Sequence, residues 1–349
     1  MLDLVRSCLR RLLPAVALAC AIPAHAVEVL DLYDAEAPIT AEGEAAHVEA
    51  LGRALRAVLV KVSGRRELGD APAIAEAVGT PGRFVQQFEQ RQGGAASRLW
   101  ARFDPELVDR LLAEAGLPVW GRVRPSMTAW LAIERDGERR LVGADEEPTL
   151  ATALVSSAAD RGLPVVMPLL DLEDRMRVDA EGVWAGKDEA LREASARYQT
   201  EATLAGRMRA VSAGWAGRFV LRLPDAVERF EVTAAVPELL MQEVADAMAD
   251  RLAARYSGAA SAPLEASTVS VEVAGVSSLE HYARVMRHLE AMDGVSAVSV
   301  VRMGDDRLWL DVEARGGAER LRQLAALGGV VVPDGELAAD GRLRLRLIR

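Results

Sequence analysis

Three carboxylates come nearest to chemistry in this sequence: Asp171, Glu173 and Asp174, in the stretch PLLDLED. They follow the apolar run 165–170, which reads as a strand buried on both faces. In open α/β sheets, ligands gather beyond the carboxyl ends of strands. Clustered carboxylates there can hold a hard cation or serve as general acid and base. One reading is therefore an envelope enzyme, a metal-assisted hydrolase. The structural reading of the same residues is simpler. Asp171 caps a short helix, and Asp174 sits in its first turn near the positive end of the dipole. The sequence offers no obvious second half to complete an acidic site.

Other constellations are weaker. Beyond the first 26 residues three histidines remain: His47, His281 and His288. The last two lie seven residues apart on one helix, about 10 Å along its axis, whereas zinc-binding helices space them by four. Arg284 and Arg287 between them suggest a solvated face. The sequence has no G-x-S-x-G and no G-x-G-x-x-G. GVWAGKD (182–188) is one residue short of a phosphate loop, and Asp188 stands where Ser or Thr would hold magnesium. No cofactor or metal is implied. The six tryptophans are scattered through strands and turns. Among them Trp120 and Trp130 are candidate partner contacts, although core anchoring uses the same chemistry. The C-terminal RLRLRLIR alternates Leu343, Leu345 and Leu347 with arginines. It reads as a half-buried edge strand, a second candidate contact surface.

The elements that position these residues follow from local signals. Apolar residues from Val48 to Val62 recur at helical spacing over about 41–62, with Thr40 as expected N-cap. Asp104 and Pro105 open a helix that stops at Gly116. A second helix, 147–161, stops at Gly162. Gly-Leu-Pro-Val occurs at both stops, 116–119 and 162–165. Glycine suits a left-handed helix end, and proline forbids continuation. The repeat therefore reads as punctuation between helix and strand. Strands near 127–133, 200–210, 216–223 and 228–234 and a helix at 237–256 complete an α/β region. From 268 to 349 a βαββαβ order suggests a ferredoxin-like α+β sandwich. The expected division is 27–256, with a subdomain boundary near 140–147, a linker at 257–267, and the small domain at 268–349.

The first 26 residues read as an export signal. Arg6, Arg10 and Arg11 precede the apolar run 12–22, and Ala24 and Ala26 form a small-x-small cleavage site. Cys20 allows the alternative of an outer-membrane lipoprotein accessory factor. Both cysteines, Cys8 and Cys20, lie in this segment, so the remaining chain has no thiol chemistry. The segment carries three Arg and Asp3, net +2, so the whole-chain charge of −10 becomes −12 without it. That acidity opposes nucleic-acid binding and anionic membrane surfaces. No later apolar run approaches the length of a transmembrane helix. The expected location is the periplasm.

Several segments, in order, carry a family resemblance: LYDAEAPI, ALRAVLVKVSG, FDPELVDRLLAEAGLPVWGRVRPSMTAWLAIE, GLPVVMPLLDLED, ASARYQTEATLAGRMR and GWAGRFVLRL. Together they resemble the bacterial envelope proteins classed as domain of unknown function number two thousand and sixty-six. That family confers no catalytic residues. RYQTEATLAGRM after a helix is similar to the α/β module of the TolB N-terminal domain and of curli and lipoprotein activator proteins. The resemblance implies assembly and adaptor work. The expectation is a non-enzymatic binding protein acting on an envelope protein partner.

Overall fold

Two short strands, β1 (Val27–Glu28) and β2 (Asp34–Pro38), lead into the helix written by the apolar stripe, α1 (Glu44–Ser63). The fold comes from a computed structural model that describes residues 27–93, 96–224, 226–257, 266–292, 294–304, 306–325, 329–335, 337–338 and 340–348. Residues 1–26, with Cys20, Ala24, Ala26 and the expected signal, lie outside the described residues, as do 258–265 of the expected linker. Helix α1 begins at Gly43 without a side-chain cap, three residues after the expected Thr40, because the chain bends through 41–43 first. Then follow α2 (Pro72–Gly79), the hairpin β3 (Val85–Gly93) and β4 (Ala96–Phe103), and α3 (Pro105–Glu114). Asp104 caps α3 as its sequence demands, accepting the N–H groups of Glu106 and Leu107. Strands β2, β4 and β3 form one antiparallel sheet, and Leu55, Val58, Leu59 and Val62 of α1 bury against it with Leu99 and Phe103.

The middle of the chain supplies β5 (Val123–Arg124), β6 (Met127–Arg135), β7 (Glu138–Val142), α4 (Pro148–Asp160) and β8 (Val165–Val166). Three short helices follow: α5 (Leu172–Arg177), α6 (Ala180–Ala185) and α7 (Asp188–Ser195). Strands β9 (Ala202–Val211), β10 (Gly214–Leu223) and β11 (Ala226–Ala234) precede the long helix α8 (Pro237–Tyr256). Strands β11-β10-β9-β6-β7 form a mixed sheet, with β6 parallel to β9 and β8 added beside β6. Alternate residues of β6 enter opposite cores. Met127, Ala129, Leu131 and Ile133 join the core under α4 and α8, while Trp130 and Ala132 join the core under α5–α7. The sheet is thus the middle of three layers.

The run 165–170 is not the doubly buried strand its composition suggests. Only Val165 and Val166 pair with β6. Pro168 has no N–H to give a ladder, and β7 takes the same edge of β6 from Leu131 onward. Seven successive buried residues occur in β6 instead.

Both Gly-Leu-Pro-Val copies end helices identically. Gly116 and Gly162 are left-handed, at φ 68° and 67°. Leu117 N–H donates to the Leu112 carbonyl and Leu163 N–H to that of Ala158, each at 2.8 Å, closing the same C-terminal motif.

The last region runs β12 (Ala266–Ala274), α9 (Leu279–Glu290), β13 (Val295–Met303), β14 (Arg307–Arg315), α10 (Gly317–Ala325), β15 (Val331–Pro333) and β16 (Leu343–Leu347). Its sheet order is β13-β14-β12-β16-β15. The split β-α-β core is present, and the end departs from four strands: β15 takes the edge and β16 inserts parallel to β12. Residues 342–348 are therefore interior to the sheet, not its edge. Leu343, Leu345 and Leu347 face the core, and Arg346 pairs across to Asp334. Helices and strands alternate through mixed sheets, which makes the architecture α/β.

Candidate functional site

Asp171 is the N-cap of α5, its Oδ1 accepting the Asp174 N–H at 3.0 Å. Arg197 grips the same carboxylate with both terminal nitrogens, at 2.8 and 2.9 Å. That grip holds the Asp171 carboxyl down at about 2, and the cap bond adds to it. Glu173 pairs with Arg177 one turn on, which lowers its carboxyl as well. Asp174 is fully buried. It accepts Leu170 N–H at 3.0 Å, the Tyr198 hydroxyl at 2.5 Å and Arg197 at 3.0 Å. Burial, and then the bond to Asp174, push the Tyr198 phenol up to about 12. The three sequence-predicted acids do come together, but each is committed to a cap or an arginine. Among the described residues no group of three His, Cys, Asp or Glu side chains is arranged to hold a metal ion.

What this network presents is apolar. Leu172 and Met176 lie at i and i+4 on α5, and they are 76% and 79% exposed, while Asp174 between them is 0% exposed. The helix turns its central carboxylate to the protein and both of its large apolar side chains to water, beside the exposed Glu173, Arg175 and Arg177. Leu169, just before the cap, is 66% exposed. An amphipathic helix left to itself would turn the other way. Arg197 and Tyr198 prevent that by holding Asp174 inward.

Leu170 sets the entry to the helix. Its φ of 51° is left-handed, a conformation costing a bulky L-residue about 1–2 kcal/mol. Its N–H is held by Asp174 and its carbonyl by Arg175 Nε at 2.7 Å. Its side chain is buried over Gly143, where an added Cβ would stand 2.4 Å from Leu170 Cδ1. The twist sends Leu170 inward and leaves Leu169 and Leu172 outside.

Trp120 and Trp130 are both fully buried, so neither side chain supplies an exposed contact. Trp130 Nε1 donates to Ser195 Oγ at 2.9 Å, and its ring meets Tyr198 edge-on at 6.2 Å. It thereby backs the tyrosine that holds Asp174. Trp120 lies under the Arg124 guanidinium at 4.0 Å. Arg124 donates to the carbonyls of Lys61, Trp120, Gly121, Arg161 and Gly162, so it ties both Gly-Leu-Pro-Val turns to the end of α1. Sequence reading missed Leu169, Leu172, Met176 and Arg197 as parts of a site. The one available signal was the i,i+4 pair of large apolar residues bracketing Asp174.

A family model, Domain of unknown function (DUF8605), matches residues 26–121. It is a different domain from the one that the sequence segments resemble, and it overturns that resemblance together with the TolB likeness that rested on it. The physical reason is visible in the fold. Two of the quoted segments are built around Asp104–Pro105 and Gly-Leu-Pro-Val, which are capping and stop signals that encode local geometry. The match takes in the β2-β4-β3 sheet and α3 and ends at Gly121, just before β5. No curated protein matches the sequence. A solved structure of selenomethionine-substituted allophanate hydrolase from Kluyveromyces lactis is 9% identical, with a TM-score of 0.16. The alignment covers 72% of this chain and 61% of that one, and the likeness is too slight to bear on fold or activity.

Proposed function

We propose that this chain is an exported, non-enzymatic binding protein of the cell envelope that docks a protein partner through α5 and the loop before it. The observation that carries this reading is the inverted helix, with two large apolar side chains held in water by a buried carboxylate. Burying a Leu or Met side chain stabilises by about 1.5–3 kcal/mol, so three such residues are a sufficient anchor for a partner with an apolar cleft. The flanking Glu173–Arg177 and Arg175–Glu146 pairs form a rim already neutralised within the molecule. The formal charge of −10 disfavours an anionic membrane and leaves a protein as the fitting partner. The signal pattern in residues 1–26 supports action outside the cytoplasm.

Asp171, Glu173 and Asp174 are committed to the cap and ion pairs of α5, which favours the binding reading over a metal-assisted hydrolase. The test is native co-purification from cells expressing the full chain or the L172E/M176E variant. The partner should be lost with the variant while its melting temperature is kept. A partner retained at wild-type yield overturns the proposal.

A further inference from the structure

A groove of about 750 Å³ lies between α1, the β2-β4-β3 sheet and the end of α4. Its size is that of a small-molecule site, and junctions between structural units are where such sites form. Lys61 lines its inner end. The chain writes its cations as arginine, 40 against two lysines, yet this buried position holds lysine. Lys61 Nζ donates to the carbonyls of Asp34 at 2.9 Å and Asp31 at 3.5 Å. An ammonium has three protons, and among the described residues no carboxylate lies within ion-pair distance of it.

The neighbouring cations are also short of acceptors. Arg56, one turn and a half earlier on α1, has no ion-pair partner among the described residues. Arg53 gives one nitrogen to the Pro38 carbonyl and reaches Glu49 at 3.7 Å, but its Nε is buried without an acceptor. Across the groove Arg98 and Arg91 share Glu36, and Arg91 also pairs with Glu89, so these two cations are matched and the shortfall lies at Lys61, Arg53 and Arg56. The acids are partly committed elsewhere, since Asp34 accepts from Nε and one terminal nitrogen of Arg102. Asp160 closes the far wall, and burial raises its carboxyl above the usual range. On an acidic chain this groove carries an excess of cations with unfilled donors.

We infer that the groove binds a small dianion of the phosphate-monoester class, with Lys61, Arg53 and Arg56 donating to its oxygens. A tetrahedral dianion offers several acceptors around one centre, which suits a point-charge ammonium beside planar guanidinium forks. Succinate carries the same charge in two separated carboxylates and does not match that convergence.

The test is calorimetric titration of the full chain at low ionic strength with inorganic phosphate, glycerol 3-phosphate and succinate. Both phosphates should bind saturably, and succinate at least about tenfold more weakly, a difference of about 1.4 kcal/mol. K61M should weaken phosphate about tenfold or more, and R56A, at an exposed position that cannot unfold the helix, several-fold. L172E/M176E should bind phosphate like wild type, which separates this site from the docking surface. No saturable binding by either phosphate overturns the inference. So does succinate binding as tightly as phosphate, or affinity that ignores both K61M and R56A.

Discussion

Two regions of this molecule bury charge, and they do so to opposite ends. Around α5 the buried and half-buried charges are matched. Asp171 and Asp174 meet Arg197, Glu173 meets Arg177, and the unpartnered side chains left for solvent are the apolar Leu169, Leu172 and Met176. Around Lys61 the cations outnumber their acceptors, and the groove stays open to water. A satisfied network makes a scaffold, whereas an unsatisfied one has donors left for something else. The two also differ in origin. The α5 cluster is assembled within 30 residues of chain, while the groove joins α1 to the end of α4 about a hundred residues later.

Substitution should separate them most sharply at their buried charges. Asp174→Ala removes the shared acceptor of Leu170, Tyr198 and Arg197, and it should cost about 3–5 kcal/mol in denaturant unfolding. Lys61→Met keeps volume and removes a desolvated charge but takes a donor from the Asp34 carbonyl, so the two effects should offset to within about 1 kcal/mol. A loss at Lys61 as large as that at Asp174 would show that the lysine is structural and would erase the contrast. Next in size is Gly143→Ala, whose methyl must displace Leu170. Overpacking of this kind should cost about 1–3 kcal/mol, with hydrogen exchange rising first at the Leu170 amide.

Acid and alkali should act on the two regions with different signs. Asp171 has its carboxyl lowered to about 2, so its contribution is present above the ordinary value of 3.8 and is lost as pH falls toward 2. Tyr198 is raised to about 12, so its contribution is present below 10 and is lost as pH climbs toward 12. The α5 region should therefore open to limited proteolysis at both extremes and stay closed between about pH 4 and pH 10. Burial lowers the Lys61 ammonium below its usual 10.5. Its penalty is present while it is protonated in the fold and fades as pH rises toward 10.5. The stability of K61M relative to wild type should therefore fall over that range, measured as paired urea midpoints. The smallest effect on stability belongs to L172S/M176S. Those side chains are exposed, so the change should stay within about 0.5 kcal/mol.

Much of the fold was legible where a signal is local. Asp104 and Pro105 start α3 as their types require, and Gly116 and Gly162 end their helices in the left-handed conformation. Helix α8 spans the residues its spacing marks out, 237–256. The acids at 171–174 were legible as a cluster, and the capping use of Asp171 was one of its two readings. The orientation of α5 was not legible, because Arg197 and Tyr198 impose it from more than 20 residues away against the helix's own amphipathic preference. Position 165–170 misled for a related reason. An apolar run signals burial, yet Leu169 and Val166 are exposed once Pro168 ends the pairing. The C-terminal alternation was right about faces and wrong about edges. A three-residue strand, β15, is too short to announce itself and takes the outer place. Composition marked Trp120 and Trp130 as large and versatile, and only packing assigns both to the interior.

The central claim is that α5 offers its apolar face to a protein. A photo-crosslinking residue placed at position 176 in the full chain, in its native cells, tests this most directly, with position 280 on exposed α9 as the control. The account predicts one discrete adduct from 176, none from 280, and loss of the adduct when L172E is added. No adduct from 176, or the same adduct from both positions, would contradict it.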